Sequence, residues 1–110
     1  MTKAEALERF KERVVAIVAA IPEGRVTTYG LIARQLHVNP RQVARVLATL
    51  TPEESAALPW FRVVAANGVI SSTKAGTVGR RQIKRLRAEG VAVTPRDRVE
   101  DFAVIVWTPT

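Results

Sequence analysis

The sequence predicts a mainly α-helical chain with a small β-hairpin, arranged as a winged helix-turn-helix in a single domain. Three observations predict it. Apolar residues recur at steps of three and four through several segments. Two of these segments are short and meet at a tight turn, His37-Val38. Downstream, Asn67-Gly68 separates two short apolar runs, the strongest local hairpin signal. A length of 110 residues suits one domain, and 47% hydrophobic residues suffice for a core.

The elements follow in order. Thr2-Lys3-Ala4-Glu5 reads as a capping box. Leu7, Phe10, Val14, Ile17 or Val18, and Ile21 then form one buried stripe, ending before Pro22 and Gly24. A short second helix opens at Thr27-Thr28-Tyr29, with either threonine as cap and Ile32 and Leu36 inward. Asn39-Pro40 starts a third helix running to about Leu50. Its inward positions are Val43, Val46, Leu47 and Leu50. Its outer face holds Arg41, Gln42, Ala44, Arg45, Ala48 and Thr49, and the small residues there permit close approach to a groove. Residues 51–59, with Pro52 and Pro59, are expected to be a loop. Arg62-Val63-Val64-Ala65 and Val69-Ile70-Ser71 are expected as the two hairpin strands. The polar stretch from Thr73 to Gly79 is expected to be flexible. A fourth helix, Gly79 to Glu89, buries Ile83 and Leu86 and closes at Gly90. Its other face carries Arg80, Arg81, Lys84, Arg85 and Arg87. The apolar tail from Asp101 to Trp107 is expected to pack back in extended form.

Charge is unevenly placed. Lys and Arg number 17 against 10 acids, for a net charge of +7. Residues 24–88 hold eleven bases and only Glu53 and Glu54, so the middle is +9 while the two ends are 0 and −2. Thirteen of the bases are Arg, whose planar fork suits phosphate. A polyanion, above all nucleic acid, is the partner this pattern favours over a merely solvated surface. No strongly amphipathic basic helix presents exposed Trp or Phe, which argues against a membrane surface.

Several chemistries are excluded or disfavoured. The chain has no cysteine, so it has no disulfide, no thiolate metal site and no cysteine nucleophile. His37 is the sole histidine. The acids cluster at the two ends and show no paired-carboxylate spacing for hydrolysis or nuclease metals. No cofactor and no metal are expected. The amino end lacks an apolar run of signal length, and no stretch approaches the roughly 18 apolar residues of a membrane span. A soluble, cytoplasmic monomer is the expectation, associated with the nucleoid if the source is bacterial.

Four motifs then carry a family resemblance. They are Ile21-Pro22-Glu23-Gly24-Arg25-Val26-Thr27-Thr28-Tyr29-Gly30, Ala44-Arg45-Val46, Pro59-Trp60-Phe61-Arg62-Val63-Val64 and Asn67-Gly68. In this order and spacing the chain resembles the carboxyl domain of O6-alkylguanine-DNA alkyltransferases over about residues 8 to 95. In those enzymes the third motif reads Pro-Cys-His-Arg-Val. Here Trp60 fills the cysteine slot and Phe61 the histidine slot. Replacement of that cysteine, commonly by tryptophan, defines the alkyltransferase-like proteins that this chain resembles.

The resemblance implies a non-enzymatic protein that binds double-stranded DNA holding O6-alkylguanine. Such proteins flip the base into a pocket, keep the alkyl group in place and hand the lesion to nucleotide excision repair proteins. Their helix-turn-helix enters the minor groove. By the same resemblance Tyr29, Arg41, Gln42 and Arg45 would contact DNA. Arg45 matches the arginine finger that fills the gap left by the extruded base, and Tyr29 the tyrosine that aids rotation of the target. Tyr29, Trp60, Phe61, Val63, Asn67 and Ser71 would line the alkylguanine pocket, with Ser72 nearby. Arg62 matches a structural arginine. Glu89 matches the family's triad glutamate, but with the histidine replaced by Phe61 a helix-end salt bridge to Arg is expected of it. Asn67 stands where one relative carries an arginine against the base. The alternative reading is a small winged-helix transcription regulator that reads intact sequence.

Overall fold

The computed structural model describes residues 1–70 and 76–110. Helix α1 (Lys3–Ala20) starts as the sequence dictates. The Thr2 hydroxyl accepts the Glu5 N–H at 3.1 Å, and the Glu5 carboxylate accepts the Thr2 N–H at 3.4 Å. Its stripe buries Val14 and Val18 completely. Leu7, expected inside, is largely exposed, because the stripe extends one turn beyond the elements that cover it.

After the turn at Gly24 the chain forms β1 (Thr27–Thr28) and enters α2 (Tyr29–Leu36). Of the two threonines, Thr28 is the cap, accepting the Leu31 N–H at 3.0 Å. The left-handed backbone of His37 (φ 56°) closes α2 and leads to α3 (Pro40–Ala48). Helix α3 ends before Leu50, as Thr49 turns its hydroxyl back onto the Arg45 and Val46 carbonyls.

Residues 51–59 depart from the expected loop. They contain helix α4 (Pro52–Ala57). Thr51 and Glu54 form a reciprocal cap, at 3.1 Å and 2.8 Å, and Pro52 occupies the first turn, where its missing N–H costs nothing. The Thr-x-x-Glu signal was present, but the two prolines obscured it.

A single 3₁₀ turn, Trp60–Arg62, then leads into β2 (Val63–Val64). The expected hairpin is replaced by a parallel pair, with Thr27 opposite Val63 and Thr28 opposite Val64. The mainly helical class with a small two-stranded sheet holds. Asn67 (φ 62°) and Gly68 (φ 84°) do reverse the chain, and the Ala65 N–H reaches the Val69 carbonyl at 2.9 Å. Among the described residues no antiparallel ladder follows, because the far arm bonds elsewhere. Ile70 N–H meets the Asp97 carbonyl, and Val99 N–H the Gly68 carbonyl, both at 2.9 Å. Gly68 is required here: a Cβ would lie 3.1–3.3 Å from Phe102 and Val99.

Helix α5 (Thr77–Ala88) begins two residues earlier than expected and buries Leu86, with Ile83 half-buried. The flexible stretch expected from Thr73 falls partly on residues 73–75, outside the described residues. The tail forms a short helix, α6 (Phe102–Ile105), where an extended segment was expected throughout. Val106 then bridges Val26 in parallel, and the Trp107 N–H donates to the Val26 carbonyl at 2.7 Å.

Two apolar clusters result. One joins α1, α2 and α3 around Val14, Val18, Ile32, Val43 and Val63. The other gathers Val26, Phe61, Val64, Ile70, Leu86 and Val99. The sheet is the seam. Alternation along β2 sends Val63 to the first cluster and Val64 to the second. The molecule measures 46 × 27 × 21 Å.

Candidate nucleic-acid interface

The helix-turn-helix is α2 and α3, which pack directly on each other. Asn39 accepts the Arg41 N–H at 2.8 Å, and the Gln42 side-chain oxygen accepts the Asn39 N–H at 3.0 Å. Gln42 therefore spends its acceptor on the cap, leaving its amide NH₂ to face outward. Arg41 and Arg45 are exposed on α3, while Ala44 is half-buried against the core side. Arg45, Gln42 and Thr49 border a groove of about 430 Å³ whose other wall is Leu7, Glu8 and Lys11 of α1. Tyr29 stands at the first position of α2, half-buried against the first cluster.

The Trp60 segment lies across the seam. The indole of Trp60 meets the ring of Phe61 edge-on, with centroids 6.0 Å apart and planes at 86°. Phe61 is buried in the second cluster and Trp60 is half-buried against it. Two α5 arginines cover these rings: the Arg81 guanidinium is 5.9 Å from the Trp60 ring centre, and Arg85 is 4.5 Å from that of Phe61. The indole N–H is buried and makes no hydrogen bond.

The backbone beneath Trp60 is held by Gln82, a residue that sequence reasoning passed over. Its buried amide donates to the Phe61 carbonyl at 3.1 Å and the Val63 carbonyl at 2.9 Å. The signal was there: Gln82 is a polar residue on the apolar stripe Gly79, Gln82, Ile83, Leu86.

Arg62 is structural, as the motif implied. Its guanidinium grips both carboxylate oxygens of Glu89 and donates to the Ile21 carbonyl at 2.7 Å. Glu89 also accepts the Gly24 N–H at 3.2 Å. The end of α5 is thus tied to the end of α1 and to the turn before β1. Burial pushes the Glu89 carboxyl up, but the Arg62 hydrogen bonds, the Gly24 N–H and the charges of Arg62 and Arg85 outweigh it, and the group titrates below its ordinary range.

The remaining predicted pocket residues are dispersed. Val63 is fully buried, its side chain in the first cluster. Asn67 is exposed at the turn, where its carbonyl accepts from Arg98 at 2.9 Å. Ser71 and Ser72 lie outside the described residues. Not all of the positive charge is free for a partner. Arg25 donates to the Ile105 and Val106 carbonyls at 2.7 and 2.8 Å, and Arg87 to the Val93 carbonyl at 3.0 Å. Among the described residues no group of three His, Cys, Asp or Glu could hold a metal ion, and no helix is long and apolar enough to cross a membrane.

Comparison with known proteins extends this picture. The DNA-binding domain of the 6-O-methylguanine DNA methyltransferases matches residues 9–91. A DNA base-flipping protein of Escherichia coli (strain K12) is 46% identical over 101 residues, covering 89% of this chain and 74% of that relative. Alkyltransferase-like protein 1 of Schizosaccharomyces pombe is 37% identical over 89 residues, 79% of this chain and 81% of its own length. The crystal structure of S. pombe Atl1 in complex with damaged DNA containing O6-carboxymethylguanine superposes with a TM-score of 0.78. There the identity is 34%, over 93% of this chain and 97% of that one.

Proposed function

Because the chain belongs to the family of the 6-O-methylguanine DNA methyltransferase DNA-binding domain, we propose that it is a non-enzymatic sensor of O6-alkylguanine in double-stranded DNA. It extrudes the modified base toward Trp60 and marks the site for nucleotide excision repair proteins. The observation that carries this reading is Trp60 itself, a half-buried indole in the Pro59-flanked turn of a chain without cysteine. Alkyl transfer from guanine oxygen requires an activated soft nucleophile, and an indole is none. The neighbouring ring, Phe61, carries no proton to exchange.

Recognition has its own energetics. Extruding a base costs a few kcal/mol, and less for one that already pairs poorly. O6-alkylation removes the N1 proton of guanine and so weakens its pair with cytosine. Stacking on an aromatic ring returns about 1–3 kcal/mol, and each buried methylene adds about 0.8 kcal/mol. Arg45, exposed on α3, is the group for the vacated stack, since a guanidinium both stacks on bases and donates to the orphaned cytosine. Tyr29 crowds the target phosphate from the first turn of α2. Arg41 and the free amide of Gln42 hold the flanking backbone. The protein acts as a monomer at the DNA, in the cytoplasm.

The test is a titration of one oligonucleotide duplex carrying either guanine or O6-methylguanine, at fixed salt and in several flanking sequences. A preference for the lesion that ignores its neighbours is expected. Equal binding to both, governed by neighbouring bases, would instead identify a sequence-reading regulator.

A further inference from the structure

We infer that the outer face of α5 is a second DNA-backbone contact, which holds the flank of the same duplex that α3 engages. The inference rests on the proposed reading that a duplex presents a base at Trp60, but not on preference for the lesion over guanine. Arg80, Arg81, Lys84 and Arg85 are all exposed on this 12-residue helix, and the helix contains no acid. None of the ion pairs among the described residues involves any of them.

Their spacing works against the helix in isolation. Arg80 and Lys84, and likewise Arg81 and Arg85, are like charges four residues apart, a repulsive arrangement on a helix surface. A polyanion laid along the face would relieve it. Arg80 and Lys84, with Arg87, surround the half-buried Ile83, and the Arg87 guanidinium is anchored on the Val93 carbonyl. Arg87 thus gives this cluster one anchored head beside the exposed Arg80 and Lys84.

Continuity with the Trp60 site selects the occupant. Helix α5 packs on the Trp60–Arg62 turn, and Arg81 and Arg85 lie over the Trp60 and Phe61 rings. Positive charge therefore runs unbroken from the site that receives the extruded base to Arg80 and Lys84. At 1.5 Å per residue α5 is about 18 Å long, the axial span of roughly five phosphates on one strand. The duplex that presents a base to Trp60 is the polyanion already in reach.

The experiment uses the full chain bearing Arg80→Ala and Lys84→Ala together. Both residues are exposed and outside the apolar clusters, so the fold is kept. Affinity is measured across a salt series on a duplex of about two helical turns and on one of about one turn centred on the target. Each duplex carries guanine or O6-methylguanine. On the long duplex the slope of log K against log salt should fall by about 0.9 for each lost contact, so by about 1.8. The fall should be equal for guanine and the lesion, and should vanish on the short duplex. Arg80→Lys with Lys84→Arg should keep the parent slope. An unchanged slope on the long duplex would overturn the inference. A fall that persists on the short duplex, with two duplexes bound per protein, would overturn the assignment to one duplex. The lesion-to-guanine ratio comes from the same titrations. Its absence alongside a lowered slope would remove the sensor reading and leave this contact standing.

Discussion

At the scale of single residues, the decisive feature is which side chain stands at position 60 and what surrounds it. Restoring a thiol there should not restore transfer. Trp60→Cys places sulfur beside Phe61, and no neighbouring histidine deprotonates it. Intact-mass measurement after incubation with methylated DNA should show no added methyl. Arg45→Ala should abolish most of the lesion preference, whereas Lys84→Ala should weaken binding to damaged and undamaged duplex alike; comparable losses of preference would count against the finger role. Gln82 has a different job. Gln82→Ala leaves the Phe61 and Val63 carbonyls without a donor inside the protein. Denaturant unfolding should register a loss of about 1–3 kcal/mol.

At the scale of elements, two joints position the site. The first is the start of α3, where the Asn39 side chain accepts the Arg41 N–H and the Gln42 side chain accepts the Asn39 N–H. Asn39→Ala should cost about 1 kcal/mol, lowering the melting temperature by about 4–8 °C for a domain of this size. The second is the Arg62–Glu89 clamp between α5, α1 and the Gly24 turn. The folded state holds the Glu89 carboxyl below its ordinary range. As pH falls, the unfolded chain therefore takes up this proton first. The clamp contributes fully above the unfolded carboxylate range, about pH 4.3, and the contribution disappears as pH drops through the lowered folded value. Glu89→Gln leaves the half-buried Arg62 without its counter-charge. It should lower stability at neutral pH by about 1.5–3 kcal/mol and flatten the acid limb of the stability profile, as followed by urea midpoints between neutral and acid pH.

At the scale of the whole molecule, the tail and the charge distribution matter together. Arg25 fixes the end of α6 to the segment before β1, and the Val26–Val106 bridge continues that attachment. Arg25→Ala should release the tail, seen as rapid hydrogen exchange at the Trp107 amide, with little change in the salt dependence of DNA binding. A large drop in the salt slope would show that Arg25 faces phosphate instead. The described arginines of the middle section thus divide into those that hold the fold, namely Arg25, Arg62 and Arg87, those that lie over aromatic rings, Arg81 and Arg85, and those exposed to solvent, Arg34, Arg41, Arg45 and Arg80.

The amino-acid sequence alone determined the helical periodicity, the caps at Thr2 and Asn39, the helix-turn-helix and the turn at Asn67-Gly68. Each of these is written within a few neighbouring residues, where local hydrogen bonding and side-chain period decide the outcome. The excluded thiol chemistry was equally plain, since it needs only a residue count. The tertiary structure decided what depends on partners distant in the chain. Val63-Val64 pairs with Thr27-Thr28 rather than with its own neighbour, because a two-residue strand takes whichever edge the packed clusters present. Gln82 turned inward because two carbonyls of the Trp60 turn awaited it. Arg62 found Glu89, and Arg81 and Arg85 came to rest on aromatic rings, because the sheet seam carries α5 onto the Trp60–Arg62 turn.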